Sequence, residues 1–76
     1  MSAKIMKALA SGECRIRNNR SGEVRLYWDD GGKRKFIDLA GHSVINLLAH
    51  GPVESFRKSA SLKTLAYENH ISLVEV

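Results

Sequence analysis

Alternation between apolar and charged residues is the sequence feature that most constrains this fold. Cys14 and Ile16 alternate with Arg15 and Arg17, and residues 24–29 repeat the pattern. Successive side chains of a strand point to opposite faces, so both runs predict half-buried strands. The Asn-Asn-Arg-Ser-Gly run between them is typical of a turn. The sequence therefore predicts a β-hairpin over residues 15–28.

Three further strands are predicted downstream. Residues 33–39 follow a Gly-Gly turn signal, and residues 71–76 form a final apolar run. Residues 43–49 are predicted as a strand, with the start of a helix as the alternative. The strand is favoured because Val44 and Ile45 are β-branched.

One helix is predicted between the last two strands. Ser61 can act as the N-cap, and Leu62, Leu65 and Ala66 have the spacing of one apolar helix face. Asn69 can end the helix because asparagine accepts the left-handed conformation.

These elements predict an α+β, β-rich protein with the order β-β-β-β-α-β. Such short strands favour a small twisted sheet or partly closed barrel with the helix packed on it. Residues 1–12 are predicted as a flexible N-terminal arm that ends at Gly12, with a helical turn over residues 4–10 as an option, and residues 13–76 as a single domain.

The chain length excludes large catalytic folds. A chain of 76 residues is too short for a Rossmann domain or a TIM barrel. Its lone cysteine, Cys14, allows no intrachain disulfide, so self-association or a partner is the expected source of extra stability. No apolar run approaches the ~20 residues that span a bilayer, and we expect no membrane contact.

No reactive or metal-binding constellation is apparent. Cys14 falls on the inward side of the first predicted strand, where a free cysteine acts as a small hydrophobe. Asp29 and Asp30 precede two glycines and are interpreted as turn residues. The three histidines lack the short spacing of metal ligands and are assigned surface or capping roles; they are His42, His50 and His70. We therefore predict neither enzymatic activity nor a cofactor.

Basic residues are the strongest chemical signal. Seven of the 12 Lys and Arg residues lie between positions 15 and 35, and the net charge is +4. In the predicted hairpin, one face carries Arg15, Arg17, Arg25 and Tyr27. Three interpretations stay open: a solvated face, a docking surface for an acidic protein, and a nucleic-acid surface.

Two aromatic residues are candidates for the core or for an interface. Trp28 alternates with the apolar residues of the second strand, which favours a core position over an interface anchor. Phe56 lies in a segment, residues 52–60, that is either a short helix or an ordered loop. If the segment is a loop, Phe56 is expected to be exposed and to anchor a neighbouring subunit.

Four stretches resemble a group of small tailed-phage structural proteins: residues 15–22, 37–44, 61–65 and 71–76. That group has a strand ending in Asn-x-Ser-Gly, a second strand, a Leu-x-Pro-Gly-x-Ser/Glu-Val turn, a short helix and a terminal strand. Here Ala40 replaces the usual proline, and residues 51–59 are additional. The resemblance implies a virion component of the capsid surface or head–tail region, with no catalytic residues.

Together these observations predict a non-enzymatic structural or assembly protein of a tailed bacteriophage. It would act by multivalent contact with other virion proteins, of the capsid or of the connector and tail, as a homo-oligomer or bound to a lattice. The contact residues are predicted to be Arg15, Arg17, Arg25, Tyr27 and Phe56. No signal peptide is recognised, so synthesis in the host cytoplasm and incorporation into the virion are expected. The alternative is a small basic nucleic-acid-binding regulator that uses the same arginines and Tyr27.

Overall fold

The computed structural model describes residues 2–75 and has an α+β architecture with two small sheets. Its elements are, in chain order, α1 (Ser2–Ser11), β1 (Arg15–Asn18), β2 (Val24–Asp30), β3 (Lys33–Leu39), β4 (Val44–Asn46), a 3-10 turn (Leu47–Ala49), α2 (Val53–Arg57), α3 (Ala60–Tyr67) and β5 (Ile71–Leu73). The α+β class is confirmed. The two sheets do not close into a barrel.

Strand pairing differs from the prediction. β1 pairs antiparallel with β4 on one side and with β5 on the other, while β2 pairs only with β3. The predicted hairpin between β1 and β2 is therefore wrong, because residues 19–23 carry the chain from one sheet to the other. The tight turn is instead at Gly31 and Gly32, whose φ angles of 59° and 83° suit a two-residue hairpin loop.

The first helix corrects the prediction of a flexible arm. Ile5 and Leu9 lie one helical turn apart, and they are 2% and 1% exposed. Lys7 interrupts this apolar run in the sequence, but it lies on the exposed side of the helix. Gly12, with φ of 91°, follows the end of the helix as predicted. Met1 lies outside the described residues.

The third helix begins two residues earlier than expected. Its N-cap is Ser59, whose Oγ accepts a hydrogen bond from the Leu62 N–H at 3.0 Å. Leu62 and Ala66 are buried as predicted. Asn69 adopts the left-handed conformation after the helix, with φ of 60°, also as predicted.

Two of the predicted strands are shorter in the structure than the sequence predicts. In residues 43–49 the strand ends at Asn46, because the Asn46 side chain caps a 3-10 turn by accepting from the Leu48 N–H at 3.2 Å. The segment thus combines both alternatives. The last strand ends at Leu73, and Val76 lies outside the described residues.

The core lies between the helices and the inner faces of both sheets. Cys14, Ile16, Val24, Leu26 and Trp28 are all buried, which confirms the inward face predicted from alternation. The predicted core position of Trp28 is also confirmed, and its ring lies 5.0 Å from a buried phenylalanine of α2, measured between centroids.

Asn18 joins the two sheets. Its side chain is fully buried, and its Nδ2 donates to three carbonyl oxygens, those of Gly22 at 2.9 Å, Leu39 at 3.0 Å and Ala40 at 3.1 Å. Its Oδ1 accepts from the Arg20 N–H at 2.9 Å. One side chain thereby fixes the loop after β1 against the end of β3.

Gly41 completes this junction. A Cβ atom at this position would overlap the Ser21 carbonyl oxygen and would lie 2.6 Å from its carbonyl carbon. The His42 N–H donates to the Arg20 carbonyl oxygen at 3.1 Å, so the two loops are also joined through their backbones. The residue is glycine because the loops meet without room for a side chain.

Candidate functional site

The outer face of the β2–β3 hairpin carries the most distinctive exposed side chains. The register places three cross-strand pairs on this face, Arg25 with Asp38, Tyr27 with Phe36, and Asp29 with Arg34. The intervening residues of β2 point into the core. We call these six residues the hairpin face.

Two aromatic rings form the centre of the hairpin face. Tyr27 is 37% exposed and Phe36 is 51% exposed, and their ring centroids lie 5.9 Å apart. The guanidinium of Arg25 lies 4.1 Å from the Phe36 centroid, and that of Arg34 lies 5.8 Å from the Tyr27 centroid. Each ring is therefore covered in part by an arginine, which combines aromatic packing with cation–π attraction.

An ion pair flanks the rings on each side. Arg25 donates to both carboxylate oxygens of Asp38, at 2.6 Å and 3.0 Å, and Arg34 Nε lies 3.3 Å from Asp29 Oδ1. The hydrogen bonds from Arg25 lower the pKa of Asp38, and those same bonds raise the pKa of Arg25. Two arginines and two aspartates give the hairpin face no net charge at neutral pH.

The predicted contact residues do not form one surface. Arg15 and Arg17 lie on β1, in the three-stranded sheet, whereas Arg25 and Tyr27 lie on β2. All four are exposed as expected, but the shared face is wrong because β1 and β2 do not pair.

Phe56 does not lie on the surface. Its segment forms α2, and its side chain is fully buried against Trp28. The condition under which Phe56 would be an anchor, an exposed loop, is not met. The exposed position of Phe56 is therefore wrong, and its role as a contact residue stays a prediction without support from its burial.

Sequence reasoning missed the β3 half of the hairpin face. Phe36 and Ile37 are adjacent apolar residues, so alternation alone does not decide which side of β3 is buried. The signal that resolves it is the Gly31-Gly32 turn, because a two-residue loop pairs Asp30 with Lys33 and thereby sets every later pair.

The two edges of the hairpin differ. On the β2 edge, the Tyr27 N–H donates to Ser61 Oγ at 3.1 Å, and the Tyr27 carbonyl accepts from Ser59 Oγ at 2.6 Å. On the β3 edge, the register directs the N–H and C=O groups of Arg34, Phe36 and Asp38 away from β2. These groups have no hydrogen-bond partner within residues 2–75. β3 is thus an open edge.

Other potentially reactive groups lie in structural positions. Cys14 is fully buried, and burial raises the pKa of its thiol to about 11. His42 occupies a turn with φ of 59°, His50 follows the 3-10 turn, and His70 Nε2 lies 3.0 Å from Arg20 Nη1. Among the described residues, no three His, Cys, Asp or Glu side chains are grouped in a way that would hold a metal ion.

We expect Cys14 to be unreactive in the folded protein. The thiolate is the reactive form, and both its raised pKa and its burial oppose alkylation at pH 8. Mass spectrometry after iodoacetamide treatment is expected to show unmodified protein under native conditions and complete modification in guanidinium chloride. Equal labelling rates in the two conditions would contradict the buried position of Cys14.

Comparison of the chain with protein-family models, curated proteins and solved structures found no match. Within residues 2–75, no helix is long and apolar enough to cross a membrane.

Proposed function

We propose that this chain is a non-enzymatic structural or assembly protein that binds other proteins through the hairpin face. The observation that carries the proposal is the exposed Tyr27–Phe36 pair, set between two ion pairs on a short regular sheet. Aromatic residues and arginine are enriched in protein–protein interfaces, and aromatic residues often supply much of the binding energy. A rigid hairpin presents them with little loss of conformational freedom on binding.

Charge favours a protein partner over a nucleic acid. Binding to phosphates draws its affinity from cations that displace counterions, but Arg25 and Arg34 already pair with aspartates. Arg15 likewise lies 3.0 Å from Glu13, measured from Nη2 to Oε1. Of the three arginines that the nucleic-acid alternative would use, Arg15 and Arg25 are thus paired with carboxylates. Arg17 lies on a different sheet from Arg25.

The proposed setting is the virion of a tailed phage, at the capsid surface or the head–tail region. The resemblance that supports it rests partly on the Asn-Arg-Ser-Gly run of residues 19–22 and the Leu-Ala-Gly run of residues 39–41. These runs meet where Gly41 lies against Ser21, next to the hydrogen bond from Asn18 to Leu39. Because the two runs contact each other, a single junction in the fold accounts for both, which supports treating them as one signature. A small protein present in many copies gains affinity for a lattice by repetition.

The test is incorporation into particles. Phage particles from the strain that encodes the chain are purified, and the protein is quantified by mass spectrometry in wild type and in Phe36→Ser. Because Phe36 is half exposed, the change spares the core, and we expect its incorporation to fall at least about tenfold.

Tyr67→Ser is the matched control, because Tyr67 is an aromatic residue on α3 that is 77% exposed and lies outside the hairpin face. It should leave incorporation unchanged. Absence of the wild-type protein from particles would contradict the phage setting. Steeply salt-dependent DNA binding by the isolated protein would favour the regulator instead.

A further inference from the structure

We propose that two copies of this chain pair through β3, antiparallel, with a two-fold axis at Phe36. The inference rests on the contact role proposed for the hairpin and names one of its partners as a second copy. The result would be a four-stranded sheet in the order β2-β3-β3-β2, with both hairpin faces on the same side.

The open edge supplies the hydrogen bonds. Arg34, Phe36 and Asp38 each direct a backbone N–H and C=O away from β2. An antiparallel strand placed along this edge would satisfy all of these groups, which is the general mode of strand addition. Side chains do not obstruct the approach, since residues 33–36 are all exposed.

The charges on β3 are self-complementary about Phe36. With the axis at this residue, Arg34 lies opposite Asp38 of the second copy, and Asp38 lies opposite Arg34 of the second copy. These residues point to the hairpin face, so the charges would form two alternating rows, one on each side of the aromatic rings. In each row, an ion pair from one copy is joined to an ion pair of the other copy through a contact between Arg34 and Asp38. Opposite charges in directly opposed positions stabilise an antiparallel pair.

Neighbouring registers lack this match. An axis at Lys35 would place the two Lys35 ammonium groups opposite each other, and like charges in that position are destabilising. An axis at Ile37 would place Asp38 opposite Phe36 of the second copy and would leave Arg34 opposite Ala40. The Phe36 axis is the one of these three that joins arginine to aspartate twice.

Charge exchange tests the proposal on the full chain. Arg34→Glu creates two like-charge contacts in its own dimer, and Asp38→Arg creates two in its own dimer. We expect each variant alone to raise the dimer dissociation constant at least about tenfold in sedimentation equilibrium. A mixture of the two variants restores both contacts and is expected to dimerise as wild type does.

Lys63→Glu is the control for the change in charge, because it alters the net charge as Arg34→Glu does but lies exposed on α3. It should leave dimerisation unchanged. Any weakening of the hairpin by the β3 variants is present in both the separate and the mixed samples, so recovery on mixing cannot come from folding. Failure of the mixture to recover would overturn the register.

Disulfide formation gives a second, independent measure if a charge variant does not fold. Lys35→Cys, Phe36→Cys and Ile37→Cys each place a thiol on a different candidate axis. Opposed residues in a hydrogen-bonded pair have Cα atoms about 5.5 Å apart, within disulfide range, whereas diagonal positions are about 7–8 Å apart. We expect rapid cross-linking of Phe36→Cys alone, with Cys14 silent in its buried position.

The outcomes separate this inference from the proposed function. A wild-type protein that stays monomeric at high concentration overturns self-pairing, whether or not Phe36→Ser is lost from particles. If the wild-type protein is monomeric and the Phe36→Ser variant is absent from particles, the hairpin face is a surface for other virion proteins and not for a second copy. Dimerisation with the predicted register supports self-pairing even if the protein is absent from particles.

Discussion

Asn18→Asp is expected to remove most of the stability of the native state at neutral pH. The change is nearly isosteric, but it replaces an Nδ2 that donates to three carbonyl oxygens with a carboxylate oxygen that repels them. An uncompensated buried charge is destabilising by about 3–5 kcal/mol. That is a large share of the roughly 4–11 kcal/mol expected for a domain of this size.

Urea unfolding followed by circular dichroism measures the effect, and Asn19→Asp is the matched control. Asn19 is exposed, and its Nδ2 donates to one carbonyl oxygen, that of Asn69, at 3.0 Å. We expect the control to change the free energy of unfolding by about 1 kcal/mol or less. The carboxyl introduced at position 18 would have a raised pKa in the folded state, so the loss should shrink in acid, where it is protonated. Equal effects at the two positions would contradict the junction.

Gly41→Ala is expected to have the second-largest effect. The added Cβ would overlap the backbone carbonyl of Ser21, and a backbone contact cannot be relieved by a side-chain rotation. We expect a loss of about 3 kcal/mol or more, because the two loops must separate. For a domain of this size, the loss corresponds to a fall in Tm of about 12 °C or more.

Gly22→Ala is the control for this change. Gly22 belongs to the same junction, but a Cβ there would meet nothing within 4 Å, and its backbone is outside the left-handed region. Its Tm is expected to stay within a few degrees of wild type in a thermal melt followed by circular dichroism. A stable Gly41→Ala variant would show that the loops are not in contact in solution.

Local periodicity predicted burial but not pairing. The inward positions of Ile16 and Leu26 follow from the two-residue period of a strand, which requires no knowledge of the partner strand. The partner of β1 depends on Asn18, whose amide bonds hold residues 18–22 as a crossing between sheets. An asparagine in a turn-rich run looks the same in sequence whether it turns the chain or joins two sheets.

The remaining errors have the same physical origin. Ile5 and Leu9 lie in a short segment with two lysines, and their burial depends on a core assembled from distant elements. Phe56 was ambiguous because a five-residue helix has little intrinsic preference and forms here through packing on Trp28. The hairpin face could be predicted only in part, since its β3 half depends on register.

The hydroxyl groups of Ser59 and Ser61 have a consequence for how large an assembly this hairpin can build. They occupy the backbone groups of Tyr27 in the middle of the β2 edge, so a continuous strand can add to the hairpin only along β3. A second copy that pairs along β3 leaves only β2 edges at the two sides of the sheet. The same serine contacts block a further strand at each of these edges. Joining of copies by this route is therefore finite and cannot run on into a fibre.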